Sequence, residues 1–196
     1  MKTIAKNRFD RRKERTREAL RTAAQALILK KGFSAVTIDD IVAKADVARG
    51  TFYLHYRDKE ELVWDIVKSY LDEVDARLNA EFPVDKITPA IQQAGLTAAF
   101  EQAARRRKLY LLILGPRGSA AVAHRFHQHL AAETEREIIA GRFYRGTPVP
   151  APVLAQFFAG ALLRLVVWWL ESKSDISAER MGQMTLELLD ATPNGR

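Results

Sequence analysis

The side chains whose types and spacing could do chemistry in this chain cluster between Thr37 and Lys59, in TIDDIVAKADVARGTFYLHYRDK. Val47 and Phe52 suit a core, whereas Arg49, Gly50, Thr51 and Tyr53 form a run of polar or bare positions on a short helical stretch. Gly costs a helix roughly 1 kcal/mol relative to Ala, so Gly50 is best explained by a partner that approaches the backbone closely. Arg carries forked N–H donors that match the acceptor pair on a guanine edge. The chemistry implied is recognition of nucleic acid. Arg49, Thr51 and Gly50 are expected at base edges. Thr37, Tyr53, His55 and Lys59 are expected on phosphates, Lys59 assisted by the start of its own helix.

Charge agrees with this placement. Residues 1–57 hold 14 Lys and Arg against 6 Asp and Glu, whereas residues 58–196 hold 17 against 18. The basic excess therefore sits wholly beside the candidate reading segment, as an electrostatic footprint for nucleic acid requires. Other constellations are weaker. His124 and His127 stand three apart and share a helix face, but His129 points elsewhere and no carboxylate completes a ligand set. No metal and no cofactor are expected. The chain has no cysteine, which removes disulfides and thiol catalysis, and no phosphate loop, nucleophile elbow or fixed acid–base pair argues for an enzyme.

The elements that must position these residues follow from periodicity. Ile38, Ile41, Val42 and Ala45 recur at helical spacing. Thr37 caps that helix with Asp40 three residues on, a capping box with Asp in place of Glu. Asp46 marks a sharp reversal, and a second short helix runs from Val47 to about Tyr53. This is the geometry of a helix-turn-helix, whose second helix enters the major groove. At VARGTFYLHYRDKEEL the segment resembles the TetR (tetracycline repressor) family of bacterial transcriptional regulators, closely over roughly residues 11–75 and in architecture beyond. Asp46 stands where that family usually has Gly, and Ala48 where it often has a capping Ser or Thr.

Upstream, Met1–Arg12 is expected to be a mobile basic arm, and Leu20, Ala23, Ala24, Leu27 and Ile28 mark a helix from about Lys13 to Lys31, with Tyr56 closing this small core. Downstream, Asp58 caps a long helix to about Phe82, stopped by Pro83. Thr88-Pro89 opens another to about Arg105. The run Arg105–Lys108 is expected on a solvated helix surface. Ser119 opens a helix ending near Gly141, GTPVPAP forms a loop, and Ser177 opens the last helix. Val153–Leu170 is apolar on every side over 18 residues, the lower limit of a membrane span. Gln156 and the central Arg164 argue against insertion, so a helix buried all round against a second subunit is expected, with Gly160 and Ala161 admitting the partner. Arg164 then needs a buried partner: Glu171, Glu187 or an acidic ligand.

The chain is thus expected to be all-α. Residues 1–57 would form a DNA-binding three-helix unit with its arm, and 58–196 a ligand-binding and dimerisation domain. The resemblance implies a cytoplasmic homodimer that represses from a palindromic operator on double-stranded DNA, binds no membrane and is released by a small-molecule effector. Aromatic lining points to a largely apolar effector, with Trp64, Phe100, Tyr110, Phe126, Phe157, Arg164 and Trp168 as candidate contacts. A DNA-bound interaction protein answering to a protein partner is the alternative.

Overall fold

The computed structural model describes residues 8–82, 88–141, 148–172 and 174–191. Pro83, part of the GTPVPAP loop and the first seven residues of the expected arm lie outside these. Among the described residues the fold is entirely helical: α1 (Arg8–Lys31), α2 (Ile38–Ala45), α3 (Arg49–Tyr53), α4 (Lys59–Glu81), α5 (Pro89–Arg105), α6 (Arg107–Leu114), α7 (Ala120–Ile139), α8 (Ala151–Ser172) and α9 (Ala178–Ala191).

The caps appear where the sequence places them. Thr37 Oγ1 accepts from Asp40 N at 3.1 Å and Asp40 Oδ2 accepts from Thr37 N at 2.8 Å, so the capping box is complete. Asp58, Thr88, Ser119 and Ser177 cap α4, α5, α7 and α9. The beginning of α1 differs from expectation. The helix starts at Arg8, not Lys13, because Arg11, Arg12, Lys13 and Glu14 are good helix formers and nothing among them breaks the chain.

Leu20, Ala24 and Ile28 of α1, Ile41 of α2, Phe52 of α3 and Leu62 and Ile66 of α4 are fully or almost fully buried in one cluster. The same cluster continues into Phe100, Ile113, Val122, Val167 and Met181. The reading unit and the C-terminal helices therefore share a continuous core. α1 packs on α4 and on α6, α5 on α9, and α7 on α8. Gly182 permits the α5–α9 approach, since a Cβ there would stand 2.7 Å from Thr97 N.

α8 is buried on one side within the chain. Its Leu154, Ala155, Phe158, Ala159, Val166 and Val167 are buried within the chain, Ala155 and Ala159 against Ala131 of α7. Val153, Phe157, Ala161, Arg164 and Trp168 form an exposed stripe, Phe157 at 59% and Trp168 at 47%. The helix is long and apolar enough to cross a membrane, yet one side is core within the chain. Gly160 faces inward, with His127 Nε2 3.6 Å from where its Cβ would lie.

Candidate nucleic-acid interface

α2 and α3 meet across a turn built on Asp46, whose backbone is left-handed at φ 54°. Its N–H donates to Ala43 O, and that of Val47 to Val42 O at 3.1 Å. Val47 thus belongs to the turn, and α3 starts at Arg49, two residues later than expected, with Ala48 contributing no side-chain cap. Phe52 is fully buried and holds the short helix down, packing edge-on to Tyr53 and tilted against Tyr56. Its other side is left outward: Arg49 and Gly50 are exposed, Tyr53 is 49% exposed, and no atom lies within 4 Å of a Cβ built on Gly50. The structure therefore brings Arg49, Gly50, Thr51 and Tyr53 together on one five-residue helix whose backbone a large partner can approach.

Arg49 is not loose. Its Nη1 donates to Asp39 of α2 and its Nη2 to Tyr53 Oη at 3.3 Å. The Tyr53 hydroxyl, then the Asp39 carboxylate, hold the guanidinium pKa above its ordinary value. Asp39 escapes a sequence reading because an acid in the first turn of a helix is already explained by the helix dipole.

The phosphate candidates divide. Thr37 is exposed at the start of α2, its hydroxyl shared with the capping box. Lys59 stands at the start of α4 as expected, but its ammonium donates to Phe33 O at 3.0 Å and Val36 O at 2.8 Å and lies 4.1 Å from the Phe33 ring centroid. It ties the α1–α2 turn to α4, which leaves one N–H of three for a phosphate. His55 is half-buried, and its Nδ1 is buried with no hydrogen-bond partner. Burial first, and then the Lys13 and Arg17 charges, hold its pKa below the ordinary 6.5.

Behind the reading face a polar clamp fixes α1 to α4. Asp65 Oδ1 accepts from Arg17 Nη2 at 2.7 Å, Asp65 Oδ2 accepts from Tyr56 Oη at 2.6 Å, and Arg21 lies 3.5 Å away. Tyr56 closes the small core as expected and is raised well above the ordinary phenol range, chiefly by burial. Farther along α4, Tyr70 Oη donates to Gln25 of α1 at 3.0 Å.

The C-terminal candidates do not gather. Trp64 packs edge-on to Phe126 and His129. Phe100 is wholly buried edge-on to Trp169, and Tyr110 is buried. Phe157, Arg164 and Trp168 lie on the outside of α8. Arg164 stands on the face of α8 turned away from the chain's own core, and Glu187 pairs with Arg180 at 3.3 Å. His127 meets Gln156 O at 3.3 Å while His129 packs edge-on to Trp64, so these two diverge. The basic run is not a uniformly solvated surface either. Arg106 lies 4.0 Å over the Tyr70 ring and bonds Gln102 and Glu73, and Arg107 Nε donates to Leu170 O at 2.8 Å. Two clefts flank α4, of about 300 and about 190 Å3; Glu73, Arg77, Gln102, Arg105 and Arg106 line most of the larger, and Ile66 and Tyr70 join polar side chains in the smaller.

Comparison with known proteins decides the family. Residues 20–66 match the model of bacterial regulatory proteins of the tetR family, and residues 92–191 match a transcriptional regulator C-terminal region. The chain belongs to the TetR family. It is a TetR-type DNA-binding transcriptional regulator, of a family without enzymatic activity. It is 42% identical to the uncharacterized HTH-type transcriptional regulator YxbF of Bacillus subtilis (strain 168) over 67 residues, 34% of this chain and 18% of that protein. The first three curated relatives are matched over only 18%, 34% and 36% of their own lengths. A solved chain from Syntrophomonas wolfei assigned to the TetR family aligns over 90% of this chain and 93% of its own, at 22% identity and a TM-score of 0.69. FadR of Bacillus subtilis, solved with stearoyl-CoA, aligns over 90% and 98% at 17% identity and a TM-score of 0.62. At these identities the likeness is one of fold.

Proposed function

We propose that this TetR-type regulator is a cytoplasmic homodimeric repressor that binds a palindromic operator through α3 and is released by a small molecule. Residues 1–57 are the reading unit, and 58–196 carry pairing and response. The observation that carries the reading is the outward face of α3. Arg49, Gly50 and Tyr53 are exposed and Thr51 partly so, on a helix held by buried Phe52, in the segment 1–57 that holds the basic excess. Arg49 and Thr51 read base edges; Thr37, Tyr53, His55 and Lys59 position phosphates.

Pairing is supported by the exposed stripe Val153, Phe157, Ala161 and Trp168 on α8 and by exposed Leu188 on α9. Large apolar side chains grouped on one helix face mark an association surface. A two-fold dimer sets its reading helices about 34–36 Å apart or at a multiple of that, so the operator is palindromic. The effector acts by preferring one of two arrangements of the reading helices. α4 spans both units, and the contact of Ser34 Oγ with Arg117 O at 3.4 Å joins the α1–α2 turn to the α6–α7 turn. These contacts add to the packing of α1 on α6 as routes from residues 58–196 to the reading unit.

One observation favours the second reading, release by a protein partner. The aromatics expected to hold an apolar effector line neither of the two clefts beside α4. The test is selection of a duplex from a randomised pool on the full chain, followed by titration of that duplex with and without candidate effectors. Enrichment of a palindrome supports the repressor reading. Release by an acyl or aromatic small molecule supports the effector, and release only by a captured protein supports the second reading.

A further inference from the structure

We propose that Asp39 is a specificity-determining residue, acting through Arg49 to make the wrong DNA costly. The inference rests on the DNA-reading role given above to α3. Asp39 is an exposed carboxylate at the start of α2, on the side of the reading unit that faces Arg49, and the two side chains form an ion pair across the α2–α3 turn. Tyr53 Oη accepts from the other guanidinium nitrogen at 3.3 Å, so the fork is held from two directions.

A carboxylate beside the main base-reading side chain is unfavourable for simple DNA affinity, because it faces phosphates of like charge. Pairing with Arg49 hides that charge while the protein is free or rides on arbitrary sequence. Both partners are well exposed, so the pair itself is weak and readily exchanged. When Arg49 extends to guanine O6 and N7, Asp39 loses its partner. It is then satisfied only by a donor in the major groove, and the cytosine N4 amino group is the one that carboxylates accept from. Where the bases beside Arg49 offer acceptors instead, the freed carboxylate is repelled and Arg49 returns to it. Asp39 therefore lowers affinity for all DNA and lowers it most where guanine and its neighbouring cytosine are missing. Asp40, the adjacent acid, does not share this role: its carboxylate is held by Thr37 and by Lys31 at 2.7 Å.

The experiment uses the full-length chain and a randomised duplex pool, with wild type, Asp39→Asn and Asp39→Ala selected in parallel. Thermal melts of each variant confirm folding, and Asp39→Glu, which keeps the first-turn charge, separates helix stabilisation from base reading. The expected result is that the uncharged variants bind unselected duplex more tightly. Their specificity ratio should fall about 5-fold or more, and base preference should flatten at the guanine read by Arg49 and at its neighbour. In an Arg49→Ala background, Asp39→Ala should no longer alter that preference. Identical motifs and specificity ratios for wild type and Asp39→Asn would overturn the proposal while leaving the DNA-reading role intact. Failure of the wild type to enrich any motif would instead overturn the role on which it rests.

Discussion

Arg49 and His55 differ in how the fold prepares them, and each difference can be measured. Arg49 is exposed and charged, and its ion pair with Asp39 lies in solvent, so it can be exchanged for a base edge. Replacing it with Ala should cost about 1–3 kcal/mol on the preferred duplex and relax preference at one position, as measured by competition with single-base variants. His55 is the reverse case, kept neutral by burial and by Lys13 and Arg17. A base whose folded pKa is depressed takes up its proton more readily when unfolded, so this contribution to stability is lost as pH falls below the ordinary 6.5. Phosphate acts in the opposite direction. It favours the imidazolium, the complex then holds more protons than the free chain, and duplex affinity rises as pH falls between the two pKa values. The measurement is a pH series of duplex titrations. His55→Gln should show a shallower rise than wild type, and equal slopes would remove His55 from the contact set.

At the scale of elements, the reading helix is only as well placed as the clamp behind it. Asp65 joins Arg17 and Tyr56 across α1 and α4. Asp65→Ala leaves a buried hydroxyl and a guanidinium without their acceptor, and should cost about 1–3 kcal/mol in urea unfolding. Lys59→Ala should likewise lower stability, since it frees two turn carbonyls, and its effect on duplex binding must be read after that correction. These two residues show what the sequence reveals and what it withholds. Caps and turns were legible because they are local: Thr37, Asp40, Asp46, Asp58 and Ser119 each act within a few residues of themselves. Lys59 with Phe33 and Val36, and Asp65 with Arg17, were not, because helix packing brings together residues more than twenty positions apart. Gly160 departs from expectation for a related reason. Periodicity places residues on faces of α8 but does not say which face meets α7. Residue type alone marks the pocket aromatics, and type does not separate Phe100 in the core from Phe157 on the surface.

For the whole molecule, the exposed stripe of α8 predicts a dimer whose loss is selective. Phe157→Glu, at a position outside the core, should give a folded monomer by sedimentation, with duplex affinity reduced to that of a single half-site. A dimer of unchanged affinity would place the interface elsewhere. An effector with a coupling of about 1–3 kcal/mol would weaken duplex binding roughly 5–150-fold, and duplex would weaken effector binding by the same factor. The most direct test of the central claim is a fluorescence anisotropy titration of the duplex selected by the wild-type chain, against a scrambled duplex of equal length at the same salt. The wild type should prefer the selected duplex about 10³-fold or more, and Arg49→Ala should lose a large part of that preference while remaining folded. Equal affinity of the wild type for both duplexes, or an Arg49→Ala variant with undiminished preference, would contradict the assignment of sequence reading to α3.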